Sequence, residues 1–496
     1  MTQSPLVPRL ADPYQPARYP GGAPLDAAGL HVVRRWSYGY TRALAREVVS
    51  AGGAGAWFEA QLRPSRITDT AADRTYAWWP SLARRPADLW QRQVSETEFG
   101  WRVMADYARW VMMRRMISRR QVLEVMTEFW ETLLHVPVNG DHWFTHRVSY
   151  GTTVRTHALG TYANLLKACI LHPAMGMFLD NAVSTKAKPN ENLGRELLEL
   201  HTVGRGNHTE DDVKDSARIL TGYRVDLWRT WAATYTPADH STGTVRVLGF
   251  THPNTNPDGR AVAEAYLDYL ARHPATAQRV CQRLAAKFVS DDPPARLVTR
   301  MVRTWQSSGT SIVAVLRTLV ASPEFQAARD SKLRDPVEDV LASYRALGVG
   351  VAQPRVDDDA ALQMLWQSNA IGTMPFSWPR PDGPPIDNRS WGSSSRALAS
   401  FSMHWSLAGT WWPRSGATYR TPAQWLPRTS LTFAQLVDHL SIQVLGRVST
   451  ATLLKACCEV TNYAPSTVIN ANHPLVKWEF HRLLSTLLDS PAHLSR

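Results

Sequence analysis

The chain has 496 residues, of which 44% are hydrophobic and 20% charged, with 28 glycines and 32 prolines. That balance excludes global disorder and a collagen-like chain, and the length accommodates about three domains or one continuous helical fold. The 55 basic residues against 43 acidic ones give a formal charge of +12, which permits anionic partners without demanding them.

In chain order, residues 1–26 read as a flexible, proline-rich tail with no apolar run behind its two arginines. Neither a secretory nor a twin-Arg signal is expected there. A main helical domain is expected over 27–347 and a C-terminal helical part, packed on the first, over 360–496, with the boundary at 348–359. No apolar stretch approaches the roughly 20 residues that cross a bilayer. Four cysteines, Cys169, Cys281, Cys457 and Cys458, show no CxxC spacing; that usage suits a reducing compartment and argues against a structural zinc site. The expected location is the cytoplasm.

Apolar residues at mixed three- and four-residue spacing predict one long amphipathic helix over 87–117. With Ser118 as N-cap, a second helix through Leu134 completes a hairpin. Further helices are predicted at 154–171, 189–202, 210–221, 259–272, 275–289, 294–306, 311–321, 335–347, 396–409, 432–444 and 472–488. The fold class is therefore mainly α, a large multi-helix protein. It is interrupted by a small β-hairpin excursion at 223–257, whose best strand is 244–250, and by a long proline- and aromatic-rich loop at 372–392. Histidines 172, 252, 273 and 473 each precede proline and read as cap-region residues rather than metal ligands.

Familiar catalytic signatures are missing: there is no GxGxxG, Walker A, GxSxG or HExxH. Nucleic-acid binding is disfavoured, because beyond net charge it rests on Arg114, Arg115, Arg119 and Arg120 alone, which read as a solvated corner. The 20 tryptophans read as core.

The richest polar segment is Asn190-Glu191-Asn192-Leu193-Gly194-Arg195-Glu196-Leu197-Leu198-Glu199-Leu200-His201. At 100° per residue, Asn192, Arg195, Glu196 and Glu199 share one helix face and the leucines the other. Two readings stand. One is a solvated face with an Arg195–Glu199 pair. The other is a polar cavity, where Glu196, Glu199, Arg195 and His157 would be catalytic and Asp180, Asn190, Glu191 and Asn192 would hold a divalent metal. Asn181, His240 and Trp378 would contact substrate.

This segment resembles the central signature of the bacterial family called domain of unknown function 1800. Arg34-Arg35-Trp36-Ser37-Tyr38-Gly39, His157-Ala158-Leu159-Gly160, Leu220-Thr221-Gly222-Tyr223, Ser322-Pro323-Glu324-Phe325 and Trp378-Pro379-Arg380-Pro381-Asp382-Gly383 extend the resemblance nearly end to end. The family carries no established function. Its frequent gene neighbour, unknown-function family 1501, looks like an alkaline phosphatase or sulfatase and often bears a twin-Arg signal. The resemblance thus implies a partner, and export with it as the alternative to a cytoplasmic location. Two departures stand out. Where the family shows Phe-Trp-His-x-His-Phe, this chain has Phe129-Trp130-Glu131-Thr132-Leu133-Leu134, which removes both histidines and leaves Glu131 as a ligand candidate. Near His240 the family's Asp and Lys are also absent. The functions expected are a metal-assisted enzyme acting on a polar or anionic substrate or, alternatively, a non-catalytic escort of a family 1501 partner.

Overall fold

Twenty-five α-helices, short 3-10 and π turns and four two-stranded antiparallel sheets make up the described part of the chain. The computed structural model describes residues 14–140, 142–356 and 358–496. The mainly α class predicted from periodicity is the class observed, and most predicted helices lie within a few residues of the observed ones. Among the described residues no helix is long and apolar enough to cross a membrane.

Polar punctuation corrects three elements. The helix expected over 87–117 is two, Pro86–Val94 and Gly100–Ile117. Between them Glu96 takes a left-handed φ of 55°, and the Gln93 side chain accepts from the Gly100 N–H at 2.6 Å. Ser118 ends the second of these helices instead of capping the next, Gln121–Leu133, and its hydroxyl accepts from the Arg120 N–H at 3.0 Å. The helix expected over 154–171 breaks after His157 and restarts at Tyr162, where Thr161 caps Asn164 and Tyr162 N–H reaches the Thr310 carbonyl at 2.9 Å. The strand expected over 244–250 folds on itself: Val245–Val247 pairs with Phe250–His252 around Leu248 and Gly249, both at positive φ. Periodicity passed over Ala27–Arg35, Arg42–Ser50, Ala54–Gln61, Ala360–Ile371 and Ala451–Thr461.

All four His-Pro histidines act alike. The Nδ1 of His172, His252, His273 and His473 accepts the backbone N–H two residues on, at 2.9–3.2 Å. The proline between supplies a fixed φ and needs no donor of its own.

One buried apolar cluster runs from Val32 to Leu488. At its middle lies Pro336–Leu347, buried along nearly its whole length and packed on Gly100–Ile117, Ala360–Ile371, Ser394–Ala408 and Phe433–Leu445. Of the tail expected over 1–26, residues 1–13 lie outside the described residues; Arg18 and the Tyr19 N–H are held by the buried Asp438 carboxylate, each at 2.9 Å.

Candidate functional site

The signature helix Glu191–Glu196 continues as a π-turn, Leu197–His201. Its leucine face is core. Asn190 is the N-cap, accepting from the Asn192 N–H at 2.9 Å, and Asn192 donates to the exposed Asp180 at 3.1 Å. Arg195 forms a two-pronged pair with Glu210 at 2.7 Å and lies 3.3 Å from Glu191 and 4.0 Å from Glu199. Glu199 also meets Arg205 at 3.0 Å and His208 at 3.7 Å. These are ion pairs at a solvated rim. Glu196 differs: one carboxylate oxygen is buried without a partner, and burial, then Glu199 and Asp382, raise its carboxyl above the usual range.

The remaining candidates lie apart. His157 ends its helix half-buried, its imidazole pushed down by burial. Asn181 and His240 brace the same turn, Asn181 donating to the Leu220 carbonyl at 3.0 Å and His240 bonding to Thr221 and, at 2.9 Å, to Asn254. Trp378 belongs to the 372–392 loop and donates to Asp382 at 2.9 Å.

That loop covers a cavity of about 40 Å³, room for an ion or a few waters. Six ionisable side chains line it: Arg115, Glu128, Glu131, His135, Lys287 and Asp335. Each arrives for a local reason. Arg115 is on Gly100–Ile117, Glu128 and Glu131 are one turn apart on Gln121–Leu133, and Lys287 is in the last turn of Pro274–Phe288, where a cation suits the helix dipole. Asp335 and Glu338 form the reciprocal capping box of Pro336–Leu347, which puts two carboxylates at its positive end.

Lys287 Nζ stands 3.7 Å from Glu128, 3.2 Å from Asp335 and 2.9 Å from Glu338. The carboxylate trio with metal-like spacing thus holds an ammonium at its centre. Glu338 also pairs with Arg496 at 2.6 Å, and Glu128 with Arg115 at 3.3 Å and the Tyr38 hydroxyl. Glu131 accepts from the Tyr107 hydroxyl at 2.9 Å and Arg147 at 3.3 Å, while its other oxygen is buried without a partner. Gly151 makes that contact fit, since a Cβ there would lie 1.6 Å from the Tyr107 hydroxyl. Burial and then Glu338 raise the Asp335 carboxyl. Burial opposes the Glu338 carboxylate too, but Arg496 and Lys287 overcome it and hold it low. Burial also lowers His135 to about 4.

The cover is docked carbonyl by carbonyl. Phe376, Ser377 and Trp378 accept from the Val138 N–H, the Asn139 amide and the His135 ring at 2.9, 2.8 and 2.8 Å. Phe376, at φ 61°, reaches down so that the guanidiniums of Arg147 and Arg115 lie 4.5 and 5.6 Å from its ring centre. Such cation–π contacts contribute about 0.5–2 kcal/mol each. Asp382 of the loop is among the charges that raise the Glu196 carboxyl, after burial and Glu199.

Sequence reading singled out Glu131, Trp378 and the loop but missed Glu128, Lys287, Asp335 and Glu338. Only the Asp335-Pro336-Val337-Glu338 capping box was a readable signal. The expected solvated corner is corrected: Arg114 and Arg115 are buried, and all four arginines have acidic partners, Glu124 at 2.6 Å, Glu128 at 3.3 Å, Glu47 at 3.1 Å and Asp73 at 3.0 Å in turn.

A mainly helical protein with a charged cavity beneath a proline-aromatic cover is the class that fold and site define. Within it, the chain belongs to the family described as "Protein of unknown function (DUF1800)", whose model matches residues 31–494. No curated protein and no solved structure matches it.

Proposed function

We propose that this protein is an enzyme that admits an ion-sized polar or anionic group of its substrate beneath the 372–392 loop and moves a proton on it. The observation that carries the reading is the convergence of six ionisable side chains on one covered cavity. Stability alone does not call for them, because buried ion pairs are commonly replaceable by apolar residues at no cost or with a gain of about 1–4 kcal/mol. Perturbed carboxyls in a cleft are instead a feature of catalytic sites. Asp335, its carboxyl raised, is the proton donor. Around the cavity Arg115, Arg147, Lys287 and Arg496 balance Glu128, Glu131, Asp335 and Glu338. A proton on Asp335 therefore leaves one positive charge in excess, which suits an anionic group. The metal-assisted version, with Asp180, Asn190, Glu191 and Asn192 as ligands, has weaker support, because those side chains are committed to one another and to Arg195.

The test is a thermal-shift screen of small carboxylates, phosphates and polyols, followed by NMR of the best compounds for turnover. Wild type is compared with Asp335→Asn, which keeps an N-cap, and with Glu131→Gln. A compound that stabilises wild type and is converted at least about 100-fold more slowly by Asp335→Asn supports the proposal. Identical behaviour of all three proteins toward every compound sinks it.

A second reading, docking of the phosphatase-like partner, is favoured by one surface. Trp405, Trp411 and Trp412 are each about 40% exposed, and Trp405 and Trp411 pack on His481 at 4.6 and 5.0 Å. Exposed clusters of this kind mark interaction sites. Co-purification with the family 1501 protein, lost in a Trp405→Ser/Trp411→Ser variant, supports it; undiminished capture by that variant counts against it.

A further inference from the structure

A second cavity, of about 320 Å³, lies between the N-terminal helix Ala27–Arg35 and the turn after Phe433–Leu445. Its apolar lining comes from Ala23, Leu25, Ala27, Leu30 and Val448. Its charged side chains are Arg34, Arg329, Arg447 and Arg496, with Asp330 as the one acidic side chain.

The charges do not balance. Asp330 is shared, 2.7 Å from Arg34 and 2.9 Å from Arg447. Arg496 is committed to Glu338. Arg329 is exposed and has no ion pair among the described residues. Arg34 and Arg447 thus share one carboxylate, and Arg329 has none among the described residues. Burial, then the like charges of Arg334 and Arg447, depress Arg34 to about 9. One buried guanidinium here keeps a donor without a partner, Nε of Arg496. An unmet polar atom of this sort costs about 1–3 kcal/mol unless something else meets it.

We propose that this cavity binds a small amphipathic anion, a carboxylate or phosphate ester whose charged head lies against Arg329 and Arg447 and whose hydrocarbon part lies on Leu25, Leu30 and Val448. Arginine is the side chain suited to both head groups, because its planar fork matches their oxygens. The volume, at the small end of ligand pockets, sets the size of the guest. This cavity meets the charged network of the loop-covered one only through Arg496, and the proposal stands whether or not that cavity is catalytic.

Isothermal titration of the full chain with hexanoate, hexyl phosphate, inorganic phosphate and hexanol tests it. One equivalent of hexanoate or hexyl phosphate is expected to bind, the better of the two identifying the head group. Inorganic phosphate is expected to bind about tenfold more weakly, hexanol not measurably, and Arg329→Ala to weaken the bound anion about tenfold. Arg329 is exposed and has no ion pair among the described residues, so its removal leaves the fold intact. Equal binding of hexanol and hexanoate, equal binding of inorganic and hexyl phosphate, undiminished binding by Arg329→Ala, or no binding of either amphipathic anion each overturns the proposal.

Discussion

Lys287 and Arg195 each stand among three carboxylates, and burial decides what each is worth. Arg195, one-third exposed, faces Glu191, Glu199 and Glu210 in water, where screening leaves such a network less than about 1 kcal/mol. Arg195→Ala is accordingly expected to leave the chemical-denaturation midpoint almost unchanged; a loss above about 2 kcal/mol would show that the signature face is buried in an assembly. Lys287 is buried among Glu128, Asp335 and Glu338. Lys287→Met removes the charge that compensates them and is expected to cost about 3–5 kcal/mol at pH 7. The loss should shrink as acid protonates Asp335, whose carboxyl is already raised. A pH-independent loss would mean that packing, not charge, is what Lys287 supplies.

Elements are set against one another by two glycines. A Cβ at Gly194 would lie 2.9 Å from the Ala217 backbone nitrogen, so the signature helix and Glu210–Ile219 approach closely only because no side chain intervenes. A Cβ at Gly383, at φ 68°, would lie 2.1 Å from the Thr132 carbonyl oxygen, where the loop presses on the end of Gln121–Leu133. Gly383→Ala is therefore expected to lift the cover while sparing the helices. Hydrogen exchange should quicken at Val138, whose N–H is held by Phe376, with the Pro336–Leu347 amides unchanged. Uniform acceleration across the chain would show that the cover is integral to the core.

Across the whole molecule, buried histidines set the response to pH. Burial opposes the charge on His404, but Asp339 and Asp489 on either side raise it to about 9. Because its folded value lies above the ordinary 6.5, the stability it contributes is full below pH 6.5 and is lost as the pH rises through about 9. His31, His135 and His201 behave oppositely: burial lowers each to about 4, so stability is lost as the pH falls from 6.5 through about 4. The melting temperature is expected to peak near pH 6.5 and to fall on both sides. His404→Gln should flatten the alkaline limb and keep the acid one; an unchanged alkaline slope would assign that limb to other groups.

The sequence by itself determined the helical class, the leucine face of the signature helix, the capping role of the His-Pro pairs and the family. All of these follow from interactions within a few residues, which periodicity and capping chemistry encode directly. Even so, local polar bonds such as Gln93 to Gly100 cut helices that periodicity ran together. Tertiary structure alone decided which polar residues are buried. Glu191 and Glu338 both stand in the first turn of a helix, yet the side chain of one is 44% exposed and the other is buried against an ammonium from a lysine 51 positions away in sequence. Burial makes the difference, because it removes the water that would otherwise screen a charge, and which helix covers which residue is a property of the assembled chain.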